Sequence, residues 1–166
     1  DRAGISIIKG GKIIPFDKQK QMNVKQYYNL YQDKWGNLWI ATREGMFKYN
    51  GSSFQKVIDG GFSSIIQDKY NHLWFGSFDK GFFKWDGTKI TNISTKEGLL
   101  EKEALSALVD DKGNTWLSTA AGITIMSQGK MLRFPFSKAP FKKEIMQLKR
   151  DSRGGIWGAS YGDGLF

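Results

Sequence analysis

The sequence has no cysteine in its 166 residues, a single histidine and only 3 prolines. Without cysteine there are no disulfides and no thiolate metal sites, which suits the cytosol and a bacterial periplasm equally. Without cysteine or a second histidine, zinc sites lack their usual ligands and cysteine triads their nucleophile. No apolar run approaches the roughly 18 to 20 residues of a membrane span, and the opening "DRAGIS" has no signal-peptide character, so the chain itself is expected to be soluble. Runs of five like charges are also missing, although 25 basic against 16 acidic side chains give a formal charge of +9. The basic residues are scattered, with mild concentrations at Lys9 to Lys25 and Lys138 to Arg153. That pattern is expected of a solvated surface, with an anionic ligand for some of the charge as the alternative, and no nucleic-acid partner is expected.

What is present favours a folded, strand-rich chain. Hydrophobic residues make up 40% and aromatics 14%, enough for a sizeable core. The 20 glycines among short apolar runs point to tight turns between short strands.

The string "DKYNHLWFGS" at 68–77 repeats "DKWGNLWIAT" at 33–42. Aligned on tryptophan, Trp39, Trp74, Trp116 and Trp157 lie 35, 42 and 41 residues apart, and Asp33, Asp68, Asp110 and Asp151 each stand six positions earlier. Between each pair the turn position needing positive φ is Gly36, Asn71, Gly113 or Gly154, asparagine being the usual substitute for glycine there. Further glycines follow at Gly45, Gly81, Gly122 and Gly164, then at Gly51, Gly87 and Gly129. Four short strands per unit result, such as "SSIIQD", "LWFGS", "GFFKWD" and "KITNI".

A period near 40 residues with four antiparallel strands is the signature of β-propeller blades, whose two apolar sheet faces must be covered by neighbours. The fold class expected is all-β, with about four blades' worth of sheet: a half blade at 1–16, full blades at 24–58, 59–94 and 95–136, and a partial blade at 137–166. A chain cut inside blades at both ends is expected to belong to a larger propeller, or to pair its open edges with another copy of itself. The repeated tryptophans are expected in the core between blades, and small pairs such as Gly76-Ser77 are expected to let strands approach. Glu97 to Leu108 also carries helical periodicity, but the repeat register places a strand at Ala104 to Val109 after a helical turn in the loop.

The string "STKEGLLEKEALSALVDDKGNTWLSTAAGITIM", residues 94 to 126, resembles the two-component regulator propeller repeat. The resemblance rests on a Gly-Leu pair in a loop, an apolar strand, Asp-x-x-Gly-Asn-x-Trp, a small-residue strand end and a Gly-Ile third strand. Copies starting at Asp33, Asp68 and Asp151 share the pattern, with Asn71-His72 in place of Gly-Asn in the second and Gly154-Gly155 in the last. The resemblance implies a periplasmic, ligand-sensing propeller segment of a hybrid two-component sensor. The parent would be a histidine kinase of the inner membrane, reaching the membrane only through parts outside this chain. It further implies an oligosaccharide ligand, neutral or acidic, and the parent's remaining blades as partners. The alternatives are a propeller scaffold for protein–protein interaction and a polysaccharide lyase or hydrolase.

No catalytic residues, metal ligands or cofactors are assigned. The register aspartates are expected to bond turn N–H groups, and His72 is expected to be an exposed turn residue. Binding is expected where the repeats stop agreeing, in the loops between second and third strands. Phe78 and Tyr161 are candidates to stack on a sugar ring, and Arg43 and Lys80 to meet hydroxyls or an acidic group.

Overall fold

The computed structural model describes residues 4–68, 70–135 and 144–166. The expected blade boundary at 136/137, the first residues of the N-terminal half blade and the basic cluster from Lys138 to Lys143 lie outside the described residues. The chain divides into two compact units, Asp1–Phe62 and Ser63–Phe166.

The first unit opens with an antiparallel hairpin of β1 (Ser6–Lys9) and β2 (Lys12–Pro15). Gly10 and Gly11 between them take φ of 56° and 73°, the left-handed pair that a two-residue hairpin turn demands. A 3-10 helix at Asp17–Met22, which no periodicity in the sequence announces, buries Met22 and ends on Asn23 in the left-handed region. Four strands follow in meander order: β3 (Tyr27–Gln32), β4 (Leu38–Thr42), β5 (Gly45–Tyr49) and β6 (Phe54–Asp59). Ile5, Met22, Ile40 and Phe47 form the core of this unit.

The second unit repeats the meander. Its first sheet joins β7 (Phe62–Gln67), β8 (Leu73–Ser77), β9 (Phe82–Trp85) and β10 (Ile90–Ile93). Its second joins β11 (Ala104–Val109), β12 (Thr115–Thr119), β13 (Gly122–Ser127) and β14 (Lys130–Pro135). The third holds β15 (Ile145–Arg150), β16 (Ile156–Ser160) and the two-residue β17 (Gly164–Leu165). The all-β, four-stranded blade expected from the repeat is thus present. Even its irregularities recur: the register between first and second strands shifts at Tyr27/Asn29, Ala104/Ser106 and Ile145/Gln147, the same step in these three sheets. Such a shift marks a β-bulge, which sharpens the local twist.

Packing between sheets supplies the core of the second unit. Trp74 clusters with Phe82 and Ile93 of its own sheet and with Ala104, Ala107 and Leu117 of the next. Ile123 and Ile125 meet Ile145 and Leu148 in the same way, with Trp116 packed against them. Leu99 explains the Gly-Leu pair of the loop: Gly98 takes φ of 112° and turns Leu99 inward, leaving it 4% exposed in the Trp74 cluster. Residues 95–98 form a turn and β11 begins at Ala104, so the register outweighs the helical periodicity of Glu97 to Leu108.

One tryptophan departs from expectation. Trp39 and Trp74 are 1% and 2% exposed, whereas Trp157 is 49% exposed. Among the described residues, its sheet of β15, β16 and β17 is the last.

Candidate functional site

The most regular polar feature is a clamp between aspartate and tryptophan. Indole Nε1 donates to the carboxylate Oδ2 in every copy, at 2.9 Å for Trp39–Asp33, 3.1 Å for Trp74–Asp68, 3.0 Å for Trp116–Asp110 and 2.9 Å for Trp157–Asp151. The other oxygen accepts turn N–H groups, such as those of Trp35 and Asn37 on Asp33 Oδ1. The turn bonds were expected from the sequence, but the indole bond was not, although the constant six-residue spacing carried the signal. Burial pushes the carboxyls of Asp33, Asp68 and Asp110 up, but these donated hydrogen bonds outweigh it and hold all three below the ordinary value. Asp151 is lowered chiefly by the hydrogen bond from Trp157. Carboxylates engaged by several donors each are structural anchors, not acids or bases.

His72 belongs to this clamp. Its Nδ1 lies 2.9 Å from Asp68 Oδ2, where Asn37 and Asn114 place their Nδ2 at 2.8 Å from the corresponding aspartates. Asn71 beside it takes φ of 66° in the glycine position. The departure from Gly-Asn is therefore a like-for-like exchange of conformation and donor. Among the described residues, no three histidine, cysteine or acidic side chains converge to hold a metal ion.

The loops between second and third strands are anchored by hydroxyls. Thr42 Oγ1 donates to Gly45 O at 2.8 Å and accepts the N–H groups of Glu44 and Gly45. Thr119 Oγ1 repeats the bond to Gly122 O at 3.1 Å, and Ser77 Oγ pairs with Asp79. The small pairs at these strand ends thus cap the loops as well as permitting close approach, a role that size alone does not reveal. The residue that follows is tied by its N–H to the residue before its sheet's first strand: Arg43 to Gln26, Ala120 to Glu103 and Tyr161 to Glu144. Each of these loops is consequently fixed backbone carrying variable side chains.

Arg43 is exposed on its loop of the first unit. In the second unit Phe78 is half-buried and Lys80 exposed in the same loop, and the Lys80 carbonyl accepts Asn92 Nδ2 at 2.8 Å. Tyr161, 72% exposed, stands on the loop of the third sheet, with the Ala120-Ala121 loop belonging to the sheet between. Phe78 and Lys80 therefore share a loop, while Tyr161 lies two sheets along.

Two clefts in the second unit lie elsewhere, and none of these loop residues lines them. One of about 490 Å³ runs over the first strands β7, β11 and β15, where Asp111 and Arg150 form an ion pair. The other, of about 270 Å³, lies by the aspartate turns and is lined by Asp68, Tyr70, Trp74, Lys84, Lys112 and Gln128 among others.

Comparison with known proteins follows the same repeat. The two-component regulator propeller family matches residues 21–44 and 56–79. The extracellular domain assigned to a hybrid two-component system of B. thetaiotaomicron superposes on 98% of this chain with a TM-score of 0.81 at 25% identity, using 23% of its own length. A second such domain from the same organism superposes on 99% with a TM-score of 0.81 at 15% identity, using 25% of its length. PorZ, a surface component of the type-IX secretion system of Porphyromonas gingivalis, superposes on 92% of the chain and 27% of its own, with a TM-score of 0.70 at 17% identity. No functionally curated protein matches the chain. The chain spans about a quarter of the length of the solved relatives named first. The two matched stretches carry the aspartate turns of Asp33 and Asp68.

Proposed function

We propose that the chain is a ligand-sensing segment of an extracytoplasmic propeller in a two-component sensor, and that it responds to an oligosaccharide. The observation that carries this reading is the likeness, over nearly the whole chain, to an extracellular domain assigned to a hybrid two-component system. The parent would then be a histidine kinase with this part in the periplasm. No helix among the described residues is long and apolar enough to cross a membrane, which agrees with a role outside the bilayer. Arg43, Phe78, Lys80 and Tyr161 are the proposed ligand contacts. Backbone bonds hold Arg43 and Tyr161 each on a fixed loop of its own unit, which is how a binding residue limits the entropy lost on association.

A catalytic reading has less support. Virginiamycin B lyase from Staphylococcus aureus shares the fold with a TM-score of 0.63 at 14% identity, a likeness of fold alone. The carboxylates of the aspartate turns are engaged by indole and backbone donors, and His72 is engaged by Asp68. Calorimetric titration of the intact protein with neutral and acidic oligosaccharides tests the proposal: saturable binding without turnover supports it. Binding of a protein partner with no saccharide binding would replace it with the scaffold reading.

A further inference from the structure

We propose that the cleft of about 270 Å³ beside the aspartate turns of the second unit is a subsite for an anionic sugar ring, seated on Tyr70, with its carboxylate or sulfate meeting Lys84 and Lys112. This rests on the sensing function proposed above and moves part of the recognition away from the loops between second and third strands.

Tyr70 is 62% exposed, on the turn position that Trp35, 56% exposed, takes in the first unit. Its N–H donates to Asp68 Oδ1 at 2.9 Å, which fixes the backbone that carries the ring, and the ring lies beside that of His72, centroids 5.9 Å apart. Trp74 lies beneath, 2% exposed, and Lys84 crosses it from β9 with Nζ 5.4 Å from the ring centroid. Lys112 and Gln128 come from turns of the next sheet, and both are exposed.

The lysine over the indole is not itself a recognition device, because Lys48 sits over Trp39 at 5.5 Å in the same way. What distinguishes this cleft is the convergence of an exposed aromatic with two ammonium groups, neither of which forms an ion pair with a carboxylate among the described residues. Asp68 also lines the cleft, and its two oxygens are engaged by Trp74 Nε1, His72 Nδ1 and the N–H groups of Tyr70 and His72. Two lysines against this one engaged carboxylate leave the cleft net positive. At about 270 Å³ it falls just below the roughly 300 Å³ at which pockets for drug-sized ligands begin, a size suited to a single ring. The apolar C–H face of a pyranose covers a tyrosine ring well, and an attached anion gains charge-assisted hydrogen bonds from ammonium groups.

The test is titration of the intact protein with three hexasaccharides: oligogalacturonate, carrying carboxylates, a carrageenan fragment, carrying sulfates, and uncharged maltohexaose. At least one anionic probe is expected to bind, with affinity that falls as salt rises. Tyr70→Ala and the double change Lys84→Gln with Lys112→Gln are each expected to weaken it about tenfold or more. Tyr70→Phe, which keeps the ring, is expected to restore most of the loss. Thermal unfolding of each variant separates lost binding from lost folding. Binding of maltohexaose alone would leave the sensing function standing and overturn this subsite. Anionic binding unchanged in all three variants would overturn it as well, whereas failure of all three probes would count against both proposals.

Discussion

Asp68 Oδ2 and Trp74 Nε1, six residues apart and 3.1 Å from one another, join the turn of a blade to its core. The carboxylate organises the hairpin with one oxygen and fixes the orientation of the buried indole with the other. One side chain thus couples local turn formation to packing between sheets, and the same pair recurs in each aspartate turn.

Replacing Asp68 with alanine is expected to leave the indole N–H of Trp74 buried without an acceptor. The cost of such a group is about 1 to 3 kcal/mol. Asp151→Ala is expected to cost less, because Trp157 is 49% exposed and its N–H can turn to water. Urea unfolding of the two variants beside the parent protein measures the difference.

The clamps also set an acid limit on stability. The folded carboxyls of Asp33, Asp68 and Asp110 lie below their ordinary value, so the unfolded chain takes up protons first as pH falls. Their contribution is fully present above the unfolded value near about 3.9, and is lost as pH drops from there through the folded values. Urea midpoints are expected to fall steeply below about pH 4. Asp68→Asn, which cannot titrate, is expected to make that fall shallower.

His72→Asn is expected to be close to neutral, within about 0.5 kcal/mol, because Asn37 and Asn114 make the same bond to their own aspartates. His72→Ala removes the donor and is expected to cost about 1 kcal/mol. Thermal unfolding compares them; equal destabilisation by both changes would contradict the clamp role.

Gly113 takes φ of 83° where Asn71 takes 66°. Gly113→Asn is therefore expected to be tolerated, and Gly113→Ala to cost roughly 1 to 2 kcal/mol, the penalty for a Cβ in the left-handed region. Denaturant unfolding of the pair checks this ordering.

The repeat made the blades legible because their structural residues recur at fixed spacing: aspartate, a positive-φ residue and tryptophan in each turn, and the Gly-Leu pair in the loop. Features that depend on the neighbouring sheet were less legible. The sequence treats Trp157 and Trp74 alike, and only the surroundings separate an exposed indole from a buried one. The loop-capping hydroxyls of Thr42, Ser77 and Thr119 were visible only as small residues. The cleft of Tyr70, Lys84 and Lys112 joins residues from two repeats, each unremarkable in its own register.

The central claim, sensing by saccharide binding, is tested most directly by calorimetric titration of the intact protein with neutral and acidic oligosaccharides, repeated on alanine variants at Arg43, Phe78, Lys80 and Tyr161. The expected result is saturable binding of at least one saccharide, no turnover, and weaker binding in at least one of these variants. Release of cleaved product, or no heat from any saccharide alongside tight binding of a protein partner, would contradict it.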